Sequence, residues 1–324
     1  MIKVKNLQIK HIMLGLIIIF LGMYPFIVKQ SDYWLTFIVM MGIYALVAVA
    51  LNIMVGFGGL ISIGHAGFLM IGTYTVAILT DRFELPFLLV FILSGVISGF
   101  VGFLIALSAI KLSGHFLAVV TLGFGLSIPV IALNWNSLTR GYSGLLVQRP
   151  EVLNDKLLLY YFVIISILIF LTLMYNALRS NIGRVFLAVK ESEIAARSSG
   201  INTTFYKGLM FVLSSFFTGL AGGLYAYWIG FVGPTDFPVT TSFLLLAMIV
   251  VGGMNSFYGP IIGAVLFSVI PHFTDKFMGI TNVVIGLTLV IVILIRPNGL
   301  ATIFKRLRSR FPSKKLTGNV ERSS

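Results

Sequence analysis

Ten apolar runs follow one another along the chain with almost no ionisable residue inside them, at residues 11–28, 33–55, 66–80, 86–110, 115–133, 157–178, 208–229, 242–253, 259–271 and 282–295. One soluble core has no use for so many continuous apolar segments. A bilayer has, because about 20 apolar residues at a rise of 1.5 Å cross its hydrocarbon layer. Every backbone N–H and C=O in hydrocarbon needs a partner within the segment, so each run is predicted to be helical. Several runs fall short of a full span, and a pair of short ones could form one re-entrant element buried in protein. The chain is expected to be an all-α polytopic membrane protein with about eight to ten spans.

Charge placement orients it. If residues 1–10 start inside and every run crosses, 17 of the 23 lysines and arginines fall on one face, against six on the other. Seven of the ten acids fall on the opposite face, among them Asp32, Asp81 and Asp236. By the positive-inside rule the basic face is cytoplasmic, and both termini lie there. The net charge of +13 is then an orientation signal rather than a sign of nucleic acid. Residues 1–10 are expected to form a basic cytoplasmic N-terminus, 11–295 the transmembrane domain, and 296–324 a basic cytoplasmic tail that lies on anionic headgroups of the bilayer or stays disordered.

The apolar segments also exclude chemistry. No predicted span carries Asp, Glu, Lys or Arg at its middle, where proton- or sodium-driven transporters commonly place one. His65 and His115 fall near predicted helix starts, as polar residues at an interface do. There is no HExxH, no paired carboxylate and no GxSxG for an intramembrane hydrolase, and no cysteine. No GxxxxGK[ST] is present to bind ATP. With only 10% charged residues among 324 there is no room for a large soluble catalytic domain, and no enzyme activity, metal or bound cofactor is expected. A pore remains, or a transporter whose energy enters from elsewhere.

Glycine interrupts two runs in a similar way, in 56-GFGGLISIGHAGFLMIGTY-74 and 252-GGMNSFYGPIIGAVLFS-268. Each has GG, then Ser62 or Ser256 at the third position after it, then another glycine. Paired interruptions in two halves of a transporter point toward a substrate route, since unwound backbone exposes amides and carbonyls where a cavity satisfies them. Close helix packing uses the same small residues. Asn52, Ser62, Gly64, His65, Thr121, Asn134 and Ser256 are the candidate groups beside a central passage.

The one sizeable loop on the basic side is 179-RSNIGRVFLAVKESEIAARSSGINTTFYK-207. Its pattern predicts an amphipathic helix with Val185, Val189 and Ala196 on one face, a Glu193/Arg197 pair, and Gly200 to end it. Within it, 193-EIAARSSG-200 resembles the EAA loop of ABC importer permeases. With FFTGLAGGLYA, VVGGMNSFYGPIIGA and GFGGLISIGHAGF, the stretch from about Tyr33 to Gly299 resembles LivM/LivH-type permeases of branched-chain amino acid uptake, closest to the LivM branch. The classical Leu-Pro after the loop glycine is missing here.

This resemblance implies a permease subunit in a prokaryotic inner membrane. Leucine, isoleucine and valine would cross a path shared with a paralogous LivH-like permease, driven by ATP used on separate ATPase subunits and supplied by an extracytoplasmic binding protein. Glu193, Ala195, Ala196 and Gly200 would belong to the helix that seats in the ATPase, with Arg184, Lys190, Glu191 and Arg197 setting its register. Urea-type permeases share the family and offer an alternative substrate. A self-sufficient channel and a non-transporting membrane scaffold are alternatives of other classes.

Overall fold

The computed structural model describes residues 15, 19–83, 85–109, 115–254, 256–274, 280–295 and 299–300. The basic N-terminus of residues 1–10 and nearly all of the tail lie outside the described residues, as does the His115 side chain. Residues 19–27 are helical. After them come α1 (Asp32–Asn52), α2 (His65–Phe83), α3 (Phe87–Ala109), α4 (His115–Asn134), α5 (Lys156–Arg179), α6 (Asn181–Glu191), α7 (Glu193–Ser198), α8 (Thr203–Ile229), α9 (Val239–Gly252), α10 (Tyr258–Thr274) and α11 (Ile280–Ile295). Each of the ten apolar runs holds a helix, and among the described residues six helices are long and apolar enough to cross a membrane. This is an all-α polytopic membrane protein.

Short polar side chains set the breaks that hydropathy leaves vague. Asp155 Oδ1 accepts from Leu157 N at 3.0 Å and starts α5. Ser180 Oγ accepts from Ile182 N at 3.2 Å, Ser192 Oγ from Ala195 N at 3.2 Å, and Asn202 Oδ1 from Phe205 N at 3.1 Å, starting α6, α7 and α8. The loop expected as one helix is thus two, because the Ser192 backbone is extended and its hydroxyl caps the second of them.

Helix α8 is the centre of the bundle. Lipid tails are as apolar as leucine, so helices associate in a bilayer through close packing and interhelical hydrogen bonds rather than hydrophobic exclusion. A Cβ on Gly72 of α2 would stand 2.1 Å from Gly219 O of α8, and one on Gly222 would stand 2.2 Å from Leu69 O. Backbone therefore lies directly on backbone. Across these contacts Thr73 Oγ1 shares its proton between Leu69 O of its own helix at 2.8 Å and Gly222 O at 3.1 Å, and Ser98 Oγ of α3 donates to Ser215 O at 2.9 Å. Helix α1 packs on the same core, buried from Ala45 through Met54. Helix α4 is the most exposed of the long spans.

The two ends of the bundle differ. One carries α6 and α7, and is called the loop end. At the far end Leu145–Leu146 pair antiparallel with Phe231–Val232, a two-residue ribbon that the sequence pattern does not announce. There Arg149 Nε and Nη2 donate to Tyr227 O and Trp228 O, both at 2.7 Å, closing the last turn of α8 before Gly230 (φ +80°).

Gly72→Val should lower the free energy of detergent-induced unfolding by about 1–3 kcal/mol, the usual range for overpacking. Gly286→Val, where a Cβ meets nothing within 4 Å, should change it little.

Candidate functional site

The broken segments meet each other. Helix α1 widens after Asn52 into a π-turn at Ile53–Phe57, then leaves helical geometry at Gly59 (φ +70°). Helix α9 ends at Gly252, and Gly253 takes φ +112°. Asn52 Nδ2 donates to Ser256 O at 3.1 Å, and a Cβ on Gly56 would lie 2.1 Å from Met254 O. Ser256 thus contributes a main-chain carbonyl. Asn52 Oδ1 lies against Gly56, is buried and has no hydrogen-bond partner among the described residues.

A second group of ties holds the chain between Ser62 and Ala66. Ile63 N donates to Thr121 Oγ1 at 3.1 Å, and Gly64 packs so tightly on α4 that its Cβ would sit 2.2 Å from Thr121 O. Ala66 N donates to Ser242 Oγ of α9 at 3.0 Å. Ser214 gives its single hydroxyl proton to Ala50 O at 2.7 Å, so it accepts from His65 Nε2 at 2.7 Å. That leaves His65 Nδ1 to accept from Ser62 Oγ at 3.0 Å. The ring is a neutral bridge between α1, α2 and α8, and the chain of bonds ends on a carbonyl. Asn52, Ser62, His65 and Thr121 are all buried at 0–1% exposure, so in this conformation they hold the broken segments rather than face an open passage. Asn134 does not join them. It is exposed at the end of α4, donating to Val130 O at 2.8 Å.

On the loop end, α7 is fixed by its own acid. Glu193 Oε2 accepts from Lys207 Nζ of α8 at 2.6 Å, while Oε1 accepts from Arg197 Nη2 at 3.0 Å and from Thr203 Oγ1 at 3.2 Å. Ala196 is buried, and Gly200 (φ +81°) turns the chain so that Ile201 N reaches Ala196 O at 3.1 Å. Lys190 of α6 reaches furthest. Its Nζ donates to Gly56 O at 2.6 Å, and its side-chain carbons pack on Gly59. The π-turn thereby draws a donor for one of its carbonyls from the loop. Arg184 bonds to Asn181, and Arg184, Glu191, Ala195 and Gly200 are exposed. Ile194 stands 82% exposed.

The sequence did not single out Lys207, Thr203, Ser214 or Ser242. Lys207 had a legible signal, as a lone cation in the first turns of an otherwise apolar helix.

Residues 33–293 match the family described as "Branched-chain amino acid transport system / permease component". The chain belongs to this permease family. It is 32% identical over 305 residues to the "High-affinity branched-chain amino acid transport system permease protein LivM" of Salmonella typhimurium, covering 86% of this chain and 71% of that protein. The Escherichia coli protein of the same name is 30% identical over the same shares. No solved structure matches the chain. The permease family accounts for the apolar helices, and its membrane subunits are transport components of ABC importers.

The hydrogen bond from Lys207 is the main cause that holds the Glu193 carboxyl below its ordinary value of 4.5. A lowered carboxyl pKa contributes stability above the unfolded value and loses it as pH falls through the folded one. The protection factor of the α7 amides, the exchange rate relative to that of an unstructured chain at the same pH, should therefore hold from neutral pH down to about 4.5, the ordinary carboxyl value, and fall only below it. In Glu193→Gln it should be low throughout. Lys190→Met, which leaves Gly56 O without its donor, should reduce transport by roughly tenfold, or ~1.4 kcal/mol, with membrane insertion unchanged.

Proposed function

We propose that this permease is the translocating half of an importer for branched-chain amino acids, taking leucine, isoleucine and valine. The family match and the two LivM relatives support the substrate class. The observation that carries the mechanism is the mounting of α7. Ile194 projects 82% exposed from a helix whose acid is bonded to α8 and whose neighbour α6 is bonded to the break in α1.

An ATPase cleft that closes over Ile194, Arg184 and Glu191 would receive a small, rigid knob. Movement of that knob would reach α8 through Glu193 and Lys207, and the π-turn of α1 through Lys190. The glycines beside Gly56 and Gly253 are where the backbone can change direction with least cost. Ala195 and Gly200 keep the knob narrow enough to enter a groove. ATP is bound by the ATPase subunits and none by this chain. The other partners are a LivH-like permease, an extracytoplasmic binding protein and the lipid bilayer, in an inner membrane with both termini cytoplasmic.

The test is ATP-dependent uptake of labelled leucine by the complex reconstituted in proteoliposomes, with isoleucine and valine as competitors. Uptake should need all partners, and Ile194→Asp should reduce it at least about tenfold while the ATPase no longer co-purifies. Uptake of urea or a short amide in place of leucine would reassign the substrate. Uptake by this chain alone without ATP would make it a channel.

A further inference from the structure

At the far end of the bundle, a cavity of about 360 Å³ opens between the start of α1, the start of α5 and the end of α8. Its charged lining is Asp32, Arg149 and Lys156, and Leu159, Trp228 and Ile229 give it an apolar wall. Lys156 pairs with Asp32. Arg149 is different. Its Nε and Nη2 are bonded to the α8 carbonyls, and its Nη1 has no acceptor among the described residues. No carboxylate pairs with it among the described residues either. The guanidinium is half-buried, and its pKa is lowered by that burial. The cavity therefore carries one uncompensated positive charge beside an unused pair of donors, a combination that favours a monoanion able to accept hydrogen bonds.

The position identifies the source of that anion. All three helix ends here belong to apolar spans, so the cavity stands at the depth where hydrocarbon gives way to headgroups. Tyr33 and Trp34, beside Asp32, are 55% and 40% exposed, as aromatic residues at a membrane interface are. Phe26 and Ile27 on the preceding helical segment are exposed as well, an apolar flank along which an acyl chain can lie.

We propose that this cavity binds the phosphodiester of an anionic phospholipid of the phosphatidylglycerol type, with Arg149 and Lys156 holding the phosphate. Its single negative charge matches the single unpaired positive charge. A zwitterionic headgroup would bring an ammonium that competes with Lys156 for Asp32. Bound lipid would brace the start of α1 against the end of α8.

Native mass spectrometry of the delipidated full chain, offered phosphatidylglycerol or phosphatidylethanolamine, tests the proposal. The chain should retain one phosphatidylglycerol under activation that strips phosphatidylethanolamine. Arg149→Gln and Lys156→Gln should each lower that retention at least about fivefold. Asp32→Asn should raise it, because it removes the competing negative charge, whereas damage to the fold would lower it. Lys156 and Asp32 make no bond to α8, so their variants stand even where Arg149→Gln fails to fold. Equal retention of the two lipids, or reduced retention in Asp32→Asn, overturns the proposal. Displacement of the lipid by millimolar leucine or acetate also overturns it, since the cavity would then take a soluble carboxylate.

Discussion

A carbonyl released from a helix inside an apolar bundle must find a donor within the protein, because the surrounding hydrocarbon offers none. That constraint shapes this permease at the end of α1. Opening the helix into a π-turn frees Gly56 O, and the donor comes from Lys190, 134 positions away. The same rule operates at Ile63 N, Ala66 N and Ser256 O, each bonded to a side chain from another part of the chain. The broken segments are held by long-range polar bonds as well as by local turns, so their conformation depends in part on where α4, α6, α8 and α9 stand. Interruptions of this kind respond to helix movement. An intact helix, with its bonds inside itself, would not.

The helices themselves are brought together by small residues. Gly72, Gly219 and Gly222 allow main chains to touch, and Ser98 and Thr73 bond across the contact. Such interfaces have little slack for a larger side chain, which makes α2, α3 and α8 a rigid group. The chain changes direction at glycines outside it. Gly59, Gly200 and Gly253, all with positive φ, stand at the end of the π-turn, at the end of α7 and between α9 and α10.

How much of this was legible depended on whether the signal was local. Apolar runs and their glycine breaks are properties of neighbouring residues, and the helices fall where the runs are. The split of the loop at Ser192 is also local, but a helical periodicity that continues through residues 185–196 conceals it. Pairings over distance were not legible. Nothing near Lys190 announces Gly56 O as its partner, and nothing near Glu193 distinguishes a carboxylate that meets an ATPase from one that anchors its own helix to Lys207. Asn134 stands apart from the other candidates, exposed at the end of α4. For Ser62, His65 and Thr121, residue type does not tell a tie from a passage-lining group, whereas their hydrogen bonds and burial show them holding the broken segment.

Helix α8 is 27 residues long, a rod of roughly 40 Å at 1.5 Å per residue. Its first turns hold the Glu193 carboxylate, and its last turn holds the Arg149 clasp and the ribbon with Leu145–Leu146. The surface loop before α5 is therefore an extension of the same rod that carries α7. A displacement of α7 therefore has a bonded path to the far end, from Glu193 to Lys207 and along α8. The far loop is thus tied through one helix to contacts made about 40 Å away.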